Sequence, residues 1–242
     1  MDHPAALLDA ALRRDAARPL VTFYDDATGE RVELSVTSFA NWVAKTANLV
    51  VDGLGLQPGE VLALDLPRHW LGAVWAVAAW SAGLVVAPGG DPASCAVAVT
   101  GPDGVEAHRA APELVVVSLR PLGAPLPEGA LPAGVLDYAR EVPLHGDRFA
   151  GGPLDPAAPA LTVGGTDRSA AEVVELARAT AARWGVQPQG RLLVAGALPQ
   201  PDDLLAATAV PLALDASVVL CAHAATDRLA DRAVSERVTA SV

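Results

Sequence analysis

Apolar and polar positions follow two alternating periods along the chain, which predict helices and strands in turn. Apolar residues at helical spacing predict helices over about 4–17, 35–54, 70–82, 170–184, 202–210 and 227–238. Short runs rich in valine and leucine predict strands over 20–24, 31–34, 61–66, 84–87, 95–100, 114–119, 160–163, 191–195 and 217–221. This order favours an α/β fold, with a mostly parallel sheet covered by helices on both faces.

Two connections between these elements lead to separate structural predictions. The turn at 25–30 joins the first two strands into a hairpin, and we expect its carboxylates Asp25, Asp26 and Glu30 to be solvated. The stretch 121–159 is rich in proline and glycine, and only a short helix at about 135–140 is predicted within it. We expect one domain over 1–242, with sub-lobes 1–120 and 160–242 joined by this stretch.

The segment from Trp70 to Ala87 carries no charge and is barely long enough to span a bilayer. Ser81, Ala82 and Gly83 interrupt it, so the pattern predicts a helix followed by a buried strand and no insertion into a membrane. Three tryptophans recur every five residues in the helical part, which turns them around the helix and favours packing in a core. The first 18 residues lack a long apolar run and predict no signal peptide.

Composition narrows the classes of partner. Hydrophobic residues make up 52% of the chain and charged residues 19%, as expected of a globular protein with a large core. The net charge of −11 argues against nucleic acid or an anionic membrane as a general partner, because both need clustered cations. Cys95 and Cys221 lie far apart in apolar surroundings, which indicates buried free thiols and fits a cytoplasmic location.

The stretch 160–169 is the strongest candidate for chemistry. An apolar strand runs into two glycines and a threonine, and an amphipathic helix begins at Ala170, a layout that can cradle a phosphate with backbone N–H groups. The candidate nucleotide- or anion-binding residues are Thr162, Gly164, Gly165, Thr166, Arg168 and Ser169.

A second interpretation needs no ligand. Ser169 and Glu172 have the spacing of a capping box, in which they bind the first N–H groups of their own helix. Asp167 repels an anion, and Lys45, the only lysine, lies in another predicted helix. We therefore favour a self-capped turn over a phosphate site.

Other common chemistries leave no trace in the sequence. It contains no G-x-S-x-G elbow, no C-x-x-C pair and no H-E-x-x-H helix, so we predict neither catalytic residues nor a metal site. The five histidines are scattered, and each is expected to be a surface residue or a satisfied core residue. They are His3, His69, His108, His145 and His223.

Several segments, in this order, resemble the adenylate-forming superfamily of acyl-CoA synthetases, luciferases and adenylation domains. They are Arg18–Val21, Leu34–Ser35, Gly55–Leu64, Ala82–Pro88, Thr162–Ser169, Pro211–Leu220 and Glu236–Thr239. The resemblance spans nearly the whole chain but only the first half of the large domain of that superfamily. It looks like a short actinobacterial family built on that half.

The resemblance implies a fold more firmly than an activity. Full members join a carboxylate to the α-phosphate of ATP and carry a loop ending in Pro-Lys-Gly, whereas this chain has Gly164–Ser169. Their acyl-pocket motif corresponds to Leu198–Asp202, which lacks the usual aromatic residue or histidine. The metal, ribose and lid motifs would follow Val242, and we expect them to be absent.

These departures favour a non-catalytic binding or scaffolding protein without a cofactor, which binds a protein partner or forms a homo-oligomer. One alternative is a protein that retains weak binding of ATP, AMP or an acyl ligand. Another is an enzyme that handles an acyl-adenylate or CoA and needs a partner.

Overall fold

A computed structural model describes residues 2–242 and builds them into helices and strands that alternate along the chain. The α-helices are α1 (Pro4–Asp15), α2 (Val36–Asn48), α3 (Trp70–Ser81), α4 (Tyr138–Glu141), α5 (Ala170–Arg183), α6 (Asp202–Ala207), α7 (Ala209–Ala213) and α8 (Leu229–Ser235). The first strands are β1 (Pro19–Asp25), β2 (Glu30–Ser35), β3 (Val61–Asp65), β4 (Val85–Pro88), β5 (Val97–Thr100) and β6 (Glu113–Val116). The later strands are β7 (Leu136–Asp137), β8 (Pro159–Val163), β9 (Thr166–Ser169), β10 (Arg191–Val194), β11 (Ser217–Ala222) and β12 (Ala240–Ser241).

These strands form two sheets. One has the order β12-β10-β11-β1-β2, and the other has the order β7-β6-β5-β3-β4-β8-β9. Neighbouring strands are parallel except in the hairpins β1–β2 and β8–β9, which confirms the predicted α/β class. The sequence suggested a single sheet, but the chain leaves the five-stranded sheet after β2 and returns to it only at β10. The sub-lobes 1–120 and 160–242 stay a prediction.

The helix α3 lies between the two sheets. It packs against β3 and β4 on one side and against β1 on the other. Its tryptophans Trp70, Trp75 and Trp80 are at most 2% exposed, as predicted for core residues. The uncharged segment that begins at Trp70 is therefore explained by its position, since its helix is surrounded by protein on all sides. Among residues 2–242, no helix combines the length and hydrophobicity needed to cross a bilayer.

The outward faces of the sheets are covered differently. Short turns that include Val105 and Leu126 cover the outer face of the seven-stranded sheet. The outer face of the five-stranded sheet packs against α8 through Ala233 and against the neighbouring Val238. Helices thus form the layer between the sheets, whereas turns and one short helix close the outside.

Several helix boundaries differ from the sequence prediction for local reasons. The helix predicted over 35–54 is regular only to Asn48 and continues as a π turn over Leu49–Gly53. The helix predicted over 202–210 breaks at Thr208, whose φ of −130° is not helical. The helix predicted over 227–238 begins with a 3-10 turn, so its α-helical part is Leu229–Ser235.

The stretch 121–159, which the sequence left largely unassigned, is attached to α2. Tyr138 is buried, and its hydroxyl lies 2.6 Å from that of Thr46. Lys45 donates to the carbonyl of His145 at 2.7 Å, and Asn48 donates to the carbonyls of Gly146 and Arg148 at 2.9 Å. Polar groups of one helix therefore hold a segment that has little regular structure of its own.

Candidate functional site

The candidate stretch 162–169 forms the end of a β-hairpin, whose turn is Gly164 and Gly165. Val163 is paired with Thr166, and Gly164 and Gly165 have φ values of 58° and 75°, as in a two-residue type I′ turn. The sequence predicted that the strand leads through a loop directly into the helix, and this layout was wrong. The strand β9 intervenes because two adjacent glycines at positive φ reverse the chain tightly enough for it to pair back on β8.

The hairpin separates the predicted binding residues into two groups. Thr162, Gly164, Gly165 and Thr166 lie at the turn, whereas Ser169 lies at the start of α5. Three residues of strand lie between Gly165 and Ser169, so the two are four steps of extended chain apart, a distance of about 13 Å. The binding of an anion by these residues stays a prediction, but one phosphate group cannot contact both groups at once.

The polar groups of this hairpin bind one another. The Thr162 hydroxyl donates to Asp167 at 2.6 Å. The Ser169 N–H donates to the Glu172 carboxylate at 2.7 Å, and the Glu172 N–H donates to the Ser169 hydroxyl at 3.3 Å, so the predicted capping box is confirmed. Arg168 lies 3.7 Å from the same Glu172 carboxylate. Lys45 donates a hydrogen bond to the carbonyl of His145, away from this hairpin.

A crevice lies where the carboxyl ends of strands from both sheets meet. Arg68, three residues beyond β3, reaches across it and forms an ion pair with Asp203 in α6. Its guanidinium also donates to the carbonyl of Gly196 at 2.7 Å and to that of Cys221 at 3.4 Å. Crevices at the carboxyl ends of parallel strands are the usual ligand sites of α/β proteins. In this protein the side chain of Arg68 occupies the crevice.

Sequence reasoning missed Arg68, although a signal was present. It is the only charged residue between Asp65 and Asp91, within the most apolar part of the chain. A lone charge in such a segment needs a partner elsewhere in the fold. The partner was not predictable, because Asp203 lies 135 positions further along the chain.

His69 lies beside the crevice and is 5% exposed. Its Nδ1 accepts a hydrogen bond from the Leu71 N–H at 3.2 Å and so caps α3, which leaves the ring proton on Nε2. Within residues 2–242 the Nε2 atom has no hydrogen-bond partner. Burial lowers the pKa of His69 to about 4, and the nearby Asp25 carboxylate opposes that shift only in part. The expectation of a satisfied core histidine is therefore met at one ring nitrogen only.

The carboxylates at the tip of the β1–β2 hairpin were expected to be solvated, and this was wrong. Asp26 forms an ion pair with Arg232 at 2.6 Å, and the side chains of both are 6% exposed. Asp25 lies 2.8 Å from a ring nitrogen of His223, and Glu30 accepts a hydrogen bond from the Leu122 N–H at 2.7 Å. The turn folds back against β11, α8 and the loop after β6, so charges that look external in the sequence hold these segments together.

Comparison with known proteins assigns the chain to a family. No family model matches it. A protein of Mycobacterium tuberculosis (strain ATCC 25618 / H37Rv), described as a TIGR03089 family protein, is 36% identical over 239 residues. The alignment covers 97% of this chain and 95% of that protein. The chain belongs to the TIGR03089 family.

Solved structures show which fold this TIGR03089 family member adopts. An acyl-CoA synthetase of Brucella canis superposes with a TM-score of 0.81 at 17% identity, over 99% of this chain and 46% of that one. A fatty acyl CoA synthetase of Mycobacterium tuberculosis superposes with a TM-score of 0.75 at 16% identity, over 98% of this chain and 48% of that one. The chain thus spans about half the length of each. Its fold is the N-terminal half of the adenylate-forming fold, as the sequence resemblance implied.

In this family member, the segment 198–202 borders the crevice. Gln200 lines a cavity of about 40 Å³ together with His69 and the Arg68–Asp203 pair. A cavity of this size is far smaller than the several hundred Å³ typical of small-molecule sites. The crevice is therefore filled mainly by the chain's own side chains.

Proposed function

We propose that this TIGR03089 family member is a non-catalytic binding protein, built on the first half of an adenylate-forming frame and acting by holding another protein or a second copy of itself. The observation that carries the proposal is the closed set of polar contacts in the β8–β9 hairpin. Thr162, Asp167, Arg168, Ser169 and Glu172 bind one another there.

Charge supports the same conclusion. Phosphoryl chemistry needs cations and preorganised donors where negative charge develops. Near the hairpin turn the cation is Arg168, which faces the Glu172 carboxylate and follows Asp167 directly in the chain. The one lysine of the chain is bound to a backbone carbonyl elsewhere. A nucleoside triphosphate would meet little net positive charge at this hairpin.

The crevice at the carboxyl ends of the strands also supports a non-catalytic role. The Arg68 guanidinium and the Asp203 carboxylate fill the place where an α/β enzyme would keep room for its substrate. Removing either partner leaves a charge without its counterion, so the pair resists opening. A protein that turned over a carboxylate here would have to break this contact in each cycle.

The direct test is ATP–pyrophosphate exchange with fatty, aryl and amino acids as carboxylate substrates. We expect no exchange above the background of a heat-denatured sample. Exchange that depends on an added carboxylate, and that disappears in Gly165→Val, would overturn the non-catalytic assignment. Light scattering of the purified protein, and capture of partners from the native host by the tagged chain, then test the binding role. A monomer that captures no partner would contradict that role.

A second candidate is the retention of weak nucleotide binding, and one observation favours it. Gly164 and Gly165 have open space where a side chain would begin, so a phosphate could approach the backbone of the turn. Thermal unfolding in millimolar AMP or ATP separates the two candidates. A rise in melting temperature that Arg168→Ala abolishes would favour nucleotide binding, whereas an unchanged melting temperature would favour the first proposal.

A further inference from the structure

A cavity that belongs neither to the β8–β9 hairpin nor to the crevice lies beside the first turn of α1. Its volume is about 290 Å³, and it is bounded by His3, by the end of α3 and by the stretch that leads into β8. Most of its wall is apolar, and the lining side chains include Trp80, Leu84 and Leu154. A bound molecule would therefore find mainly hydrocarbon contacts here.

A larger cavity of about 490 Å³ adjoins the first one, between α1, α2 and the stretch before β8. Ser81, Gly152 and Leu154 line both cavities. Nothing lies within 4 Å of the point where a side chain at Gly152 would begin, so the junction is open there. Leu8 and Val43 continue the apolar wall into the larger cavity. We refer to the two cavities together as the α1 groove, which has the size of a small-molecule site.

His3 supplies a buried polar group to the α1 groove and is only 6% exposed. Its Nδ1 accepts a hydrogen bond from the Ala5 N–H at 3.2 Å and caps α1, which leaves the ring proton on Nε2. Within residues 2–242 this Nε2–H has no hydrogen-bond partner, and, unlike Nε2 of His69, it is not sealed from solvent. A buried histidine thus directs one unused donor into the groove.

Asp155 supplies an acceptor to the same cavity. One of its oxygens accepts a hydrogen bond from the Ala157 N–H at 2.9 Å, and the described part of the chain offers it no ion pair. Burial lowers the pKa of His3, and the charge of the Asp155 carboxylate opposes that shift in part. At pH 7 the cavity therefore holds a neutral N–H donor and a carboxylate acceptor that are close enough to interact.

These two groups restrict the polar end of a ligand. A carboxylate or phosphate would accept from His3 but would face the negative charge of Asp155. The exposed rim gives an anion no compensation, since it carries the carboxylates of Asp9 and Asp147 against the guanidinium of Arg148. An ammonium group would suit Asp155 but has no lone pair for the His3 donor. A carboxamide or a hydroxyl group satisfies both, because its oxygen accepts and its N–H or O–H donates.

We propose that the α1 groove binds a small amphiphile whose polar end is an uncharged carboxamide or alcohol. The oxygen of that group accepts from Nε2–H of His3, and its own hydrogen is donated to Asp155. The hydrocarbon part passes Gly152 and Leu154 and fills the larger cavity beside Leu8. Such a ligand would bind independently of the partner protein proposed above.

The test is calorimetric titration of the whole protein at pH 7 with probes of equal chain length that differ only at the polar end: octanamide, 1-octanol, octanoate and octylamine. We expect the two uncharged probes to bind about tenfold more tightly than the two charged ones, the effect of one lost hydrogen bond. The tighter of octanamide and 1-octanol would identify the polar group. Tightest binding of octanoate or octylamine, equal affinity for all the probes, or no heat of binding would each overturn the proposal.

Two variants test the assigned polar roles. His3→Ser keeps a hydroxyl that can cap α1 but removes the ring donor, so the affinity for octanamide should fall about tenfold. Asp155→Asn keeps an oxygen for the Ala157 N–H but removes the charge, so octanoate should bind almost as tightly as octanamide. Circular dichroism checks that both variants fold. An unaltered preference for octanamide over octanoate in Asp155→Asn would contradict the proposal.

A third variant tests the groove itself. Gly152→Leu places a side chain at the open junction of the two cavities, where the backbone φ of Gly152 is not in the left-handed region, and it should abolish binding of octanamide. Ala150→Leu is the matched control, since it adds bulk to an exposed position of the same stretch that lines neither cavity. Its titration should match that of the wild type. Undiminished binding in Gly152→Leu would show that the ligand lies elsewhere.

Discussion

Arg68 and Asp203 form an ion pair that connects the two sheets of the molecule. Arg68 follows a strand of the seven-stranded sheet, and Asp203 lies in a helix that packs on β11 of the five-stranded sheet. Only 13% of the Arg68 side chain and 22% of the Asp203 side chain are exposed. The contact is therefore a half-buried pair, and the loss of one partner leaves a partly desolvated charge without its counterion.

Arg68→Met should lower the free energy of unfolding by about 2 kcal/mol, between the values for exposed and for buried pairs, because Asp203 would keep a half-buried charge without its counterion. Urea denaturation at neutral pH measures the change. The double variant Arg68→Met with Asp203→Leu should recover most of the loss, since no uncompensated charge remains. Arg109→Met is the matched control: its ion pair with Glu106 is exposed, and its removal should change stability by less than about 0.5 kcal/mol. Equal losses in the two single variants would refute this account.

His69 should make the protein less stable as the pH falls from 6.5 to about 4. Burial keeps the ring neutral in the folded state, whereas the unfolded chain takes up a proton in this interval, so acid favours unfolding. The expected loss is of order 3 kcal/mol. His69→Asn keeps an acceptor at the helix cap but does not titrate, so its urea midpoint should vary less over the same interval. His3→Asn serves as the comparison, because burial also lowers the pKa of His3. A pH profile of His69→Asn that parallels the wild type would contradict the assignment.

The Asp26–Arg232 pair should contribute stability above the usual titration range of an aspartate and lose it below. The hydrogen bond from Arg232 lowers the pKa of Asp26, and burial opposes that shift. The contribution is therefore complete at neutral pH and declines as the pH falls below about 4. Arg232→Met should cost about 3 kcal/mol at pH 7, because it leaves the buried Asp26 carboxylate with only the more distant and exposed Arg228, at 3.6 Å, as a counterion. The cost should shrink at pH 3, and a cost independent of pH would rule out an electrostatic origin.

Ser169→Ala should lower stability by about 1 kcal/mol through loss of the helix cap. Ser35→Ala is the matched comparison, since Ser35 caps α2 by the same bond, to the Ser38 N–H at 3.1 Å. Arg168→Ala should change stability by less than about 0.5 kcal/mol, because its contact with Glu172 is exposed to solvent. Thermal and urea unfolding measure all three. A larger loss from Arg168→Ala than from Ser169→Ala would show that the hairpin depends on that cation.

The helical layer of the fold was the most predictable part, because its signals are local. The spacing of Trp70, Trp75 and Trp80 and the capping pattern of Ser169 and Glu172 can be interpreted within one or two helical turns. The strand β9 was missed because Thr166–Ser169 is polar and exposed, with none of the alternation that marks a half-buried strand.

The long-range polar contacts could not be predicted from the sequence, for a different reason. Asp26 and Arg232 are 206 positions apart, and nothing in their local sequences links them. Charges at a turn are usually solvated, and they are buried here only because α8 folds over the hairpin. Such contacts depend on tertiary structure, so a single sequence predicts neither the partner nor the burial.

The order in which strands join the five-stranded sheet has a consequence for folding. Thr22 in β1 pairs with Val219 in β11, so almost 200 residues separate two adjacent strands. On the ribosome, the β1–β2 hairpin is made almost 200 residues before β11, the strand that pairs with β1. Its free edge is exposed meanwhile, and closure over so long a loop is slow. We therefore expect synthesis of this protein to depend on chaperones more than its modest length would suggest.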